Sequence, residues 1–190
     1  MICLNSDVME KEIPSLATLG LWSDSTFASF YCADGASNRI YDGLRDTPVL
    51  LAACRPEYIV GDLDSMRRDV ATYYESVGTK IVKNPDQDTN DLEKCVEHLL
   101  SQNVSIESNG LSMNEITLVV MGAFGGRFDQ QMHSLHVCYK YMNTFKSINL
   151  VGDGNCAYLL KGGLDTTHYI NLQKGIEGPG CSLLPIGTPV

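Results

Sequence analysis

Short apolar runs alternate with amphipathic segments over most of this chain. The apolar runs, whose composition predicts strands buried on both faces, lie at residues 2–4, 27–33, 58–61, 79–82, 116–121 and 147–151. The segments with helical spacing lie at residues 36–44, 65–77, 89–102 and about 130–142. Strands that alternate with helices predict an α/β fold, a doubly wound, mostly parallel and Rossmann-like sheet covered by helices. We predict a connection at residues 48–56 and a polar surface loop at residues 103–114.

The pattern changes after residue 152. Residues 152–155 predict a tight turn, and strand-like runs follow at residues 156–160, 168–172 and 181–186 with no helical spacing between them. We therefore predict an α/β domain over residues 1–152. Residues 153–190 are predicted to hold the first strands of an antiparallel β-sandwich that is incomplete.

Acidic turns follow two of the predicted strands. Asp62 and Asp64 come directly after the run at 58–61, and because residues i and i+2 of an extended chain point the same way, their carboxylates are expected to converge. Convergent carboxylates suit a Mg²⁺ ion that carries substrate phosphates. The alternative is simple turn chemistry, with Ser65 capping the next helix. A second acidic turn at residues 84–91 favours the metal interpretation.

A glycine-rich turn, residues 122–129, follows the run at 116–121. Its Gly125 and Gly126 let a backbone approach a ligand, and Arg127 offers a guanidinium that binds phosphate oxygens bidentately. The alternatives are a turn that serves packing alone and an arginine that is only solvated. In parallel sheets, ligands bind beyond the carboxyl ends of the strands, so the polar turns are expected to meet at one edge.

Composition and charge limit the classes of function that the chain can have. A net charge of -9 and a pI near 4.8 argue against a general nucleic-acid or anionic-membrane surface, since both need clustered lysine and arginine. The sequence shows neither a secretory signal nor a run of about 20 apolar residues. Its seven cysteines are scattered and odd in number, with no C-x-x-C pair. They predict reduced thiols in a cytoplasmic protein.

Several motifs carry a resemblance to a known family. They are residues 32–42 (CADGASNRIYD), 61–65 (GDLDS), 86–92 (DQDTNDL), 125–129 (GGRFD) and 178–189 (GPGCSLLPIGTP). On these motifs the chain resembles the thiamine pyrophosphokinases, most of all their eukaryotic members. The resemblance implies a thiamine diphosphokinase, which transfers pyrophosphate from ATP to the hydroxyl of thiamine and releases AMP. It also implies a Mg²⁺- and ATP-binding catalytic domain, a thiamine-binding sandwich and a homodimer.

The resemblance implies the roles of single residues. Asp62, Asp64 and Asp91 match Mg²⁺ ligands and, with Arg127, the catalytic positions. The positions that match the surroundings of ATP are Asp34, Asn38, Gly61, Gly125, Gly126 and Arg127. Gln87 and Asp129 match the positions that hold the thiamine aminopyrimidine. Asp86 and Asp88 either support the metal ligands or are acids that favour a helix start, and no general base is identifiable.

Two departures from the family pattern leave alternatives open. Ala36 stands where the family has glycine, which is tolerated only with a negative φ. The family pattern continues beyond the position of Val190, so the activity of this form is in doubt and a truncated, inactive nucleotide-binding homologue is one alternative. The other is a haloacid-dehalogenase-like phosphatase, in which an Asp of the D-x-D motif would be a nucleophile.

Overall fold

A seven-stranded sheet forms the centre of the unit Met1–Leu159. The computed structural model describes residues 1–7, 13, 29–102, 112–163, 166–172, 178 and 180–186. Its strands are β1 (Ile2–Cys3), β2 (Tyr31–Ala33), β3 (Tyr58–Gly61), β4 (Lys80–Lys83), β5 (Thr117–Met121), β6 (Ser147–Gly152) and β7 (Asn155–Tyr158). They lie in the order β4-β3-β2-β1-β5-β6-β7. All neighbours are parallel except β6 and β7, which confirms the predicted mostly parallel sheet.

Helices connect the strands and cover both faces of the sheet. They are α1 (Ala36–Leu44), α2 (Pro48–Ala53), α3 (Arg68–Ser76), α4 (Asp91–Ser101) and α5 (Phe128–Lys140), with a 3₁₀ turn at Met113–Glu115. One apolar cluster packs α4 and α5 against the sheet through residues such as Val96 and Val137. The other packs α1 and α3 on the opposite face through Ile40 and Val70. The fold is therefore doubly wound, as predicted.

Three local predictions meet different outcomes. Helix α1 has the predicted bounds. Ala36 is its first residue and is not among those with a positive φ, so the condition under which alanine is tolerated at this position is met. The predicted connection at 48–56 is wrong, because Pro48 begins the short helix α2. Proline favours the first position of a helix, since its fixed φ angle is helical and its missing N–H would have no partner within the helix there. Ser65 does not cap α3, which begins at Arg68 after an extended Arg67.

The last part of the chain differs from the prediction. The predicted strand at 156–160 exists as β7, but it pairs with β6 and so extends the main sheet. Residues 168–172 and 181–186 are not strands, because a strand needs a hydrogen-bonded neighbour that the described residues do not provide. Side chains in these two segments, such as Tyr169 and Leu183, are exposed. By their contacts the residues divide into Met1–Leu159 and Leu160–Val190, so the predicted boundary at 152/153 falls inside the β6–β7 hairpin.

Other features of the described residues bear on the predictions. Five cysteines, Cys3, Cys32, Cys54, Cys95 and Cys138, are buried free thiols. His98 packs against the rings of Tyr31 and Tyr58, which begin β2 and β3 at the ends opposite the acidic turns. Within the described ranges, every helix is too short or too polar to cross a membrane.

Candidate active site

Three carboxylates meet where β2 and β3 end. Asp34 follows β2, and Asp62 and Asp64 follow β3; one oxygen of each lies within 4.8 Å of one oxygen of the others. Their exposure increases in that order, from the buried Asp34 through the half-buried Asp62 to the exposed Asp64. The predicted convergence of Asp62 and Asp64 is therefore present. The structure adds Asp34 to the group, because β2 and β3 are parallel neighbours that end at the same edge.

The convergence of Asp62 and Asp64 has a different cause from the expected one. The intervening Leu63 has a φ of 64°, so the segment is a turn and the extended geometry is wrong. The backbone N–H of Asp64 donates to Asp62 Oδ1 at 3.3 Å across this turn, and the Ser65 hydroxyl donates to Asp64 Oδ1 at 2.9 Å. Left-handed backbone at leucine is costly, and such strain is most often kept at functional sites.

Gly61 lets the two acidic strand ends approach each other. A Cβ atom at Gly61 would lie 2.7 Å from the Cβ of Asp34, closer than any real contact allows. No side chain larger than hydrogen fits between Asp34 and β3. The position of Gly61 at ATP stays a prediction, and the structure shows close packing of Gly61 against Asp34.

Asp34 has an unusual environment for a carboxylate. Only 2% of the residue is exposed, and its Oδ1 atom has no hydrogen-bond partner. The other oxygen accepts a long hydrogen bond of 3.4 Å from the backbone N–H of Ser65. Burial raises the pKa of Asp34 to about 6, and the nearby charges of Asp91, Asp62 and Asp64 add to the effect. A buried carboxylate with an unsatisfied oxygen, next to two other carboxylates, is suited to a cation.

The second acidic turn contributes through Gln87, Asp91 and Lys94. Gln87 Nε2 donates to Asp62 Oδ2 at 3.2 Å, which lowers the pKa of Asp62. Asp91, the first residue of α4, stands outside the three-carboxylate group, and its Oδ1 accepts a hydrogen bond from Lys94 Nζ at 3.4 Å. Burial raises the pKa of Asp91, and the charge of Lys94 opposes that shift. The same Nζ lies 4.0 Å from Asp62 Oδ2.

Asn38, predicted at the nucleotide, is engaged with the loop that carries the carboxylates. Its Nδ2 donates to the carbonyl of Ser65 at 2.8 Å, and its Oδ1 accepts from the backbone N–H of Arg67 at 3.0 Å. Arg67 in turn forms a bidentate ion pair with Asp42 on α1. Helix α1 therefore holds the 62–67 loop in place by two successive contacts.

Arg127 and Asp129 lie at the carboxyl end of β5 and pair with each other. Arg127 Nε and Nη2 donate to the two oxygens of Asp129 at 3.1 and 2.5 Å, and this contact lowers the pKa of Asp129. Gly125 and Gly126, with φ angles of 85° and 78°, form the turn before them. Arg127 remains 74% exposed at its side chain. Among the described residues, neither side chain is hydrogen-bonded to the acidic cluster, although only β1 lies between β5 and β2 in the sheet.

Sequence reasoning missed Lys94 and placed Asp34 at the nucleotide rather than among the clustered carboxylates. Lys94 lies between Leu92 and Cys95, on the side of α4 that faces the sheet, with only 3% of its side chain exposed. A lysine three residues after Asp91, on an otherwise apolar helix face, was the available signal. Asp34 could not be placed, because its proximity to Asp62 depends on the order of the strands.

Comparison with known proteins identifies the family. Residues 19–151 match the family described as "Thiamin pyrophosphokinase, catalytic domain". The chain belongs to the thiamine pyrophosphokinase family. That match covers the carboxyl edges of β2, β3 and β5 and therefore every acidic and glycine-rich turn described above. Membership favours the thiamine diphosphokinase interpretation over the haloacid-dehalogenase-like alternative.

Relatives and solved structures agree with this assignment. The chain is 38% identical over 189 residues to Thiamine pyrophosphokinase 1 of Arabidopsis thaliana, covering 96% of this chain and 66% of that protein. It is 30% identical to the Saccharomyces cerevisiae thiamine pyrophosphokinase, covering 82% and 60%. The Candida albicans thiamin pyrophosphokinase structure matches with a TM-score of 0.60 at 25% identity, over 79% of this chain and 57% of that one. The chain thus spans somewhat less than two thirds of these relatives.

Proposed function

We propose that the chain is a thiamine diphosphokinase, which transfers pyrophosphate from ATP to the hydroxyl of thiamine and yields thiamine diphosphate and AMP. The observation that carries this proposal is the cluster of Asp34, Asp62 and Asp64 with its unpartnered, buried Asp34 oxygen. Family membership supplies the reaction, and the cluster supplies the place where a metal-bound nucleotide would be held. Pyrophosphate transfer needs chiefly positioning of the reactants and neutralisation of charge.

The cluster suits Mg²⁺ by its donor set. All its donors are carboxylate oxygens, which this hard cation prefers, and the site would be formed by Asp34, Asp62 and Asp64. Asp91, predicted as a metal ligand, would approach the ion from the first turn of α4, where it also forms an ion pair with Lys94. When bound, Mg²⁺ neutralises the phosphate oxygens. The turn at Leu63 and the contacts of Asn38 keep the Asp62 and Asp64 carboxylates directed at one point.

Arg127, in the turn that follows β5, would bind the phosphates of an ATP molecule whose metal is held by the carboxylates after β2 and β3. Its guanidinium is exposed and already forms a bidentate contact with a carboxylate, the geometry with which it would bind phosphate oxygens. Engagement of ATP would therefore exchange Asp129 for phosphate and release the Asp129 carboxylate. The released carboxylate of Asp129 would then bind the thiamine aminopyrimidine, the role proposed for this residue. Gln87, which is hydrogen-bonded to Asp62, would hold the aminopyrimidine from the side of the metal.

Product analysis tests the reaction. The purified chain is incubated with ATP, thiamine and Mg²⁺, and AMP and thiamine diphosphate are quantified by chromatography. Formation of both products in equal amounts supports the proposal, whereas an aspartyl-phosphate on Asp62 with phosphate release supports the phosphatase alternative. ATP binding without turnover supports the inactive nucleotide-binding alternative.

The metal role of the cluster has its own test. Asp64→Asn removes a charge with little change of shape, and we expect Mg²⁺-dependent ATP binding to weaken by about 1 kcal/mol or more, the scale of a lost charged contact. Calorimetry with ATP and Mg²⁺ measures the change. Asp46→Asn, at an exposed aspartate between α1 and α2, is the control and should bind as the wild type does. Equal affinities for both variants would remove Asp64 from the metal site.

The homodimer and the cytoplasmic location stay predictions. The five buried free thiols agree with a reducing compartment. Sedimentation velocity and fractionation of the native source would test the two statements separately.

A further inference from the structure

Lys94 is a buried cation whose neighbours are the carboxylates of both acidic turns. Its side chain is 3% exposed, and its Nζ lies 3.4 Å from Asp91 Oδ1 and 4.0 Å from Asp62 Oδ2. Burying an ammonium carries a large desolvation cost unless carboxylates offset the loss of water, and removing one partner from such a pair leaves an uncompensated charge. A lysine used only for packing would extend its charged end to solvent. The Lys94 charge is therefore held at the site by the fold.

The position of Lys94 follows from helix α4. The Asn90 side chain caps this helix, and α4 packs on the sheet beside β2 and β3. Lys94 is one turn into the helix, on its buried face. Its ammonium therefore approaches the carboxyl end of β3 from the face of the sheet that α4 covers. Asp62, in the first acidic turn, is thereby linked to the second acidic turn twice, directly through Gln87 and through Lys94, which also pairs with Asp91.

The charges of the site require a counterion. Asp34, Asp62, Asp64 and Asp91 bring up to four negative charges together, and a metal–ATP complex is itself an anion. Such a complex approaches against the field of the carboxylates, whereas a free divalent cation is attracted by it. One fixed positive charge beside Asp62 and Asp91 repels a free divalent cation and attracts the anionic metal–ATP complex, so it changes the two binding affinities in opposite directions.

We propose that Lys94 is a positioning and charge-balancing residue that weakens the binding of a free divalent cation and strengthens the binding of the cation–ATP complex. The inference rests on the proposed function. Lys94 holds Asp62 and Asp91 by ion pairs and reduces the negative charge of the cluster, so that the site selects the cation together with its nucleotide. A purely structural lysine would not produce opposite changes in the two affinities.

Binding of Mn²⁺, followed by the electron paramagnetic resonance signal of the free ion, tests the inference. The wild type and Lys94→Gln are titrated with Mn²⁺ alone and with Mn²⁺-ATP in the absence of thiamine. We expect Lys94→Gln to bind Mn²⁺ alone about fivefold more tightly and Mn²⁺-ATP about fivefold more weakly, from the Coulomb energy of one partly screened charge. Lys94→Arg keeps the charge and should not show this inversion.

Two controls keep the outcomes separate. Lys146→Gln makes the same change of net charge at an exposed lysine before β6, at the opposite edge of the sheet, and should leave both affinities unchanged. Lys94→Met, a second neutral variant of similar length, replaces Lys94→Gln if that variant does not fold. Failure of both neutral variants to fold would assign Lys94 to the fold and overturn the inference.

The remaining outcomes distinguish the inference from the function. If the wild type binds Mn²⁺-ATP and the neutral variant weakens both affinities or neither, the inference is wrong and the proposed function stands. If the wild type binds neither Mn²⁺ nor Mn²⁺-ATP, the proposed function is contradicted and the inference falls with it.

Discussion

Single residues at the carboxyl edge hold conformations and charges that folding alone would not favour. Asp34 and Leu63 have positive φ angles, and the Asp34 carboxylate is buried with one oxygen unpaired. Gly61 allows the backbone of β3 to lie against Asp34. These features each cost stability, and they share one location, which is the pattern expected where structure is adapted to a ligand.

The Asp34 carboxylate should make stability depend on pH. Because the pKa of Asp34 is raised to about 6, its contribution to stability is full below its unfolded pKa and is lost as the pH rises through 6. In metal-free buffer, Asp34→Asn should therefore match the wild-type melting temperature near pH 4 and exceed it at pH 7. Thermal melts across this range measure the difference. A gap that does not change with pH would show that the Asp34 charge is not destabilising.

Substitution of Gly61 tests the close approach of the strand ends. Gly61→Ala places a Cβ 2.7 Å from the Cβ of Asp34, so the strand or the carboxylate must shift. We expect a loss of about 1–3 kcal/mol in the free energy of unfolding, the usual cost of overpacking, together with weaker Mg²⁺-ATP binding. Gly162→Ala, where the added Cβ meets nothing within 4 Å, is the control. Unchanged stability of Gly61→Ala would mean that the strand ends adjust freely.

At the scale of elements, helix α4 supplies the second acidic turn and carries Lys94. It begins where the sequence predicts a helix, and its first turn contains Asp91 and Glu93, acids that favour a helix N-terminus. The side chain of Asn90 accepts a hydrogen bond from the backbone N–H of Glu93 at 2.8 Å. Lys140 on α5 forms an ion pair with Glu93, which fastens the two helices to each other on one face of the sheet.

Removal of the cap should loosen this helix start. Asn90→Ala loses the hydrogen bond to Glu93 and is expected to lower the free energy of unfolding by about 1 kcal/mol, measured by urea denaturation. It should also weaken Mg²⁺-ATP binding, because Asp91 and Lys94 lie in the turn that frays. The control is Asn143→Ala at an exposed position after α5. Normal nucleotide affinity in a destabilised Asn90→Ala would separate the helix start from the site.

At the scale of the whole molecule, residues 1–159 hold both apolar clusters and all candidate site residues. Strand β7 completes the sheet, since its pairing with β6 covers an edge whose N–H and C=O groups would otherwise be unpaired. Residues after 160 contribute several exposed apolar side chains, among them Tyr169, Leu183 and Leu184. The position of the domain boundary therefore matters for folding.

Two fragments distinguish the boundaries. Residues 1–159 should melt cooperatively and bind Mg²⁺-ATP, because the fragment keeps the complete sheet. Residues 1–152 lack β7 and expose β6 as an edge, so we expect a lower melting temperature and aggregation, followed by calorimetry and light scattering. Equal behaviour of the two fragments would show that β7 belongs energetically to the later residues, as the sequence pattern alone predicts.

The sequence by itself determined the order of the elements and the edge at which the chemistry lies. Apolar strands and amphipathic helices are local patterns, so α1 was predicted to the residue and β3, α4 and β5 to within two residues. Because parallel strands end at one edge, turns that follow them could be gathered without knowing the strand order. The short helix α2 and the absent cap at Ser65 show the limit of such patterns at element ends.

Only the tertiary structure decided which side chains touch. The grouping of Asp34 with Asp62 depends on the neighbouring positions of β2 and β3, and the bridge from Lys94 to Asp62 depends on the packing of α4 against the sheet. The pairing of β7 with β6 likewise decided that residues 155–158 complete the first sheet. Contacts between residues far apart in sequence carry no periodic signal, because they are set by how the elements pack rather than by the pattern within any of them.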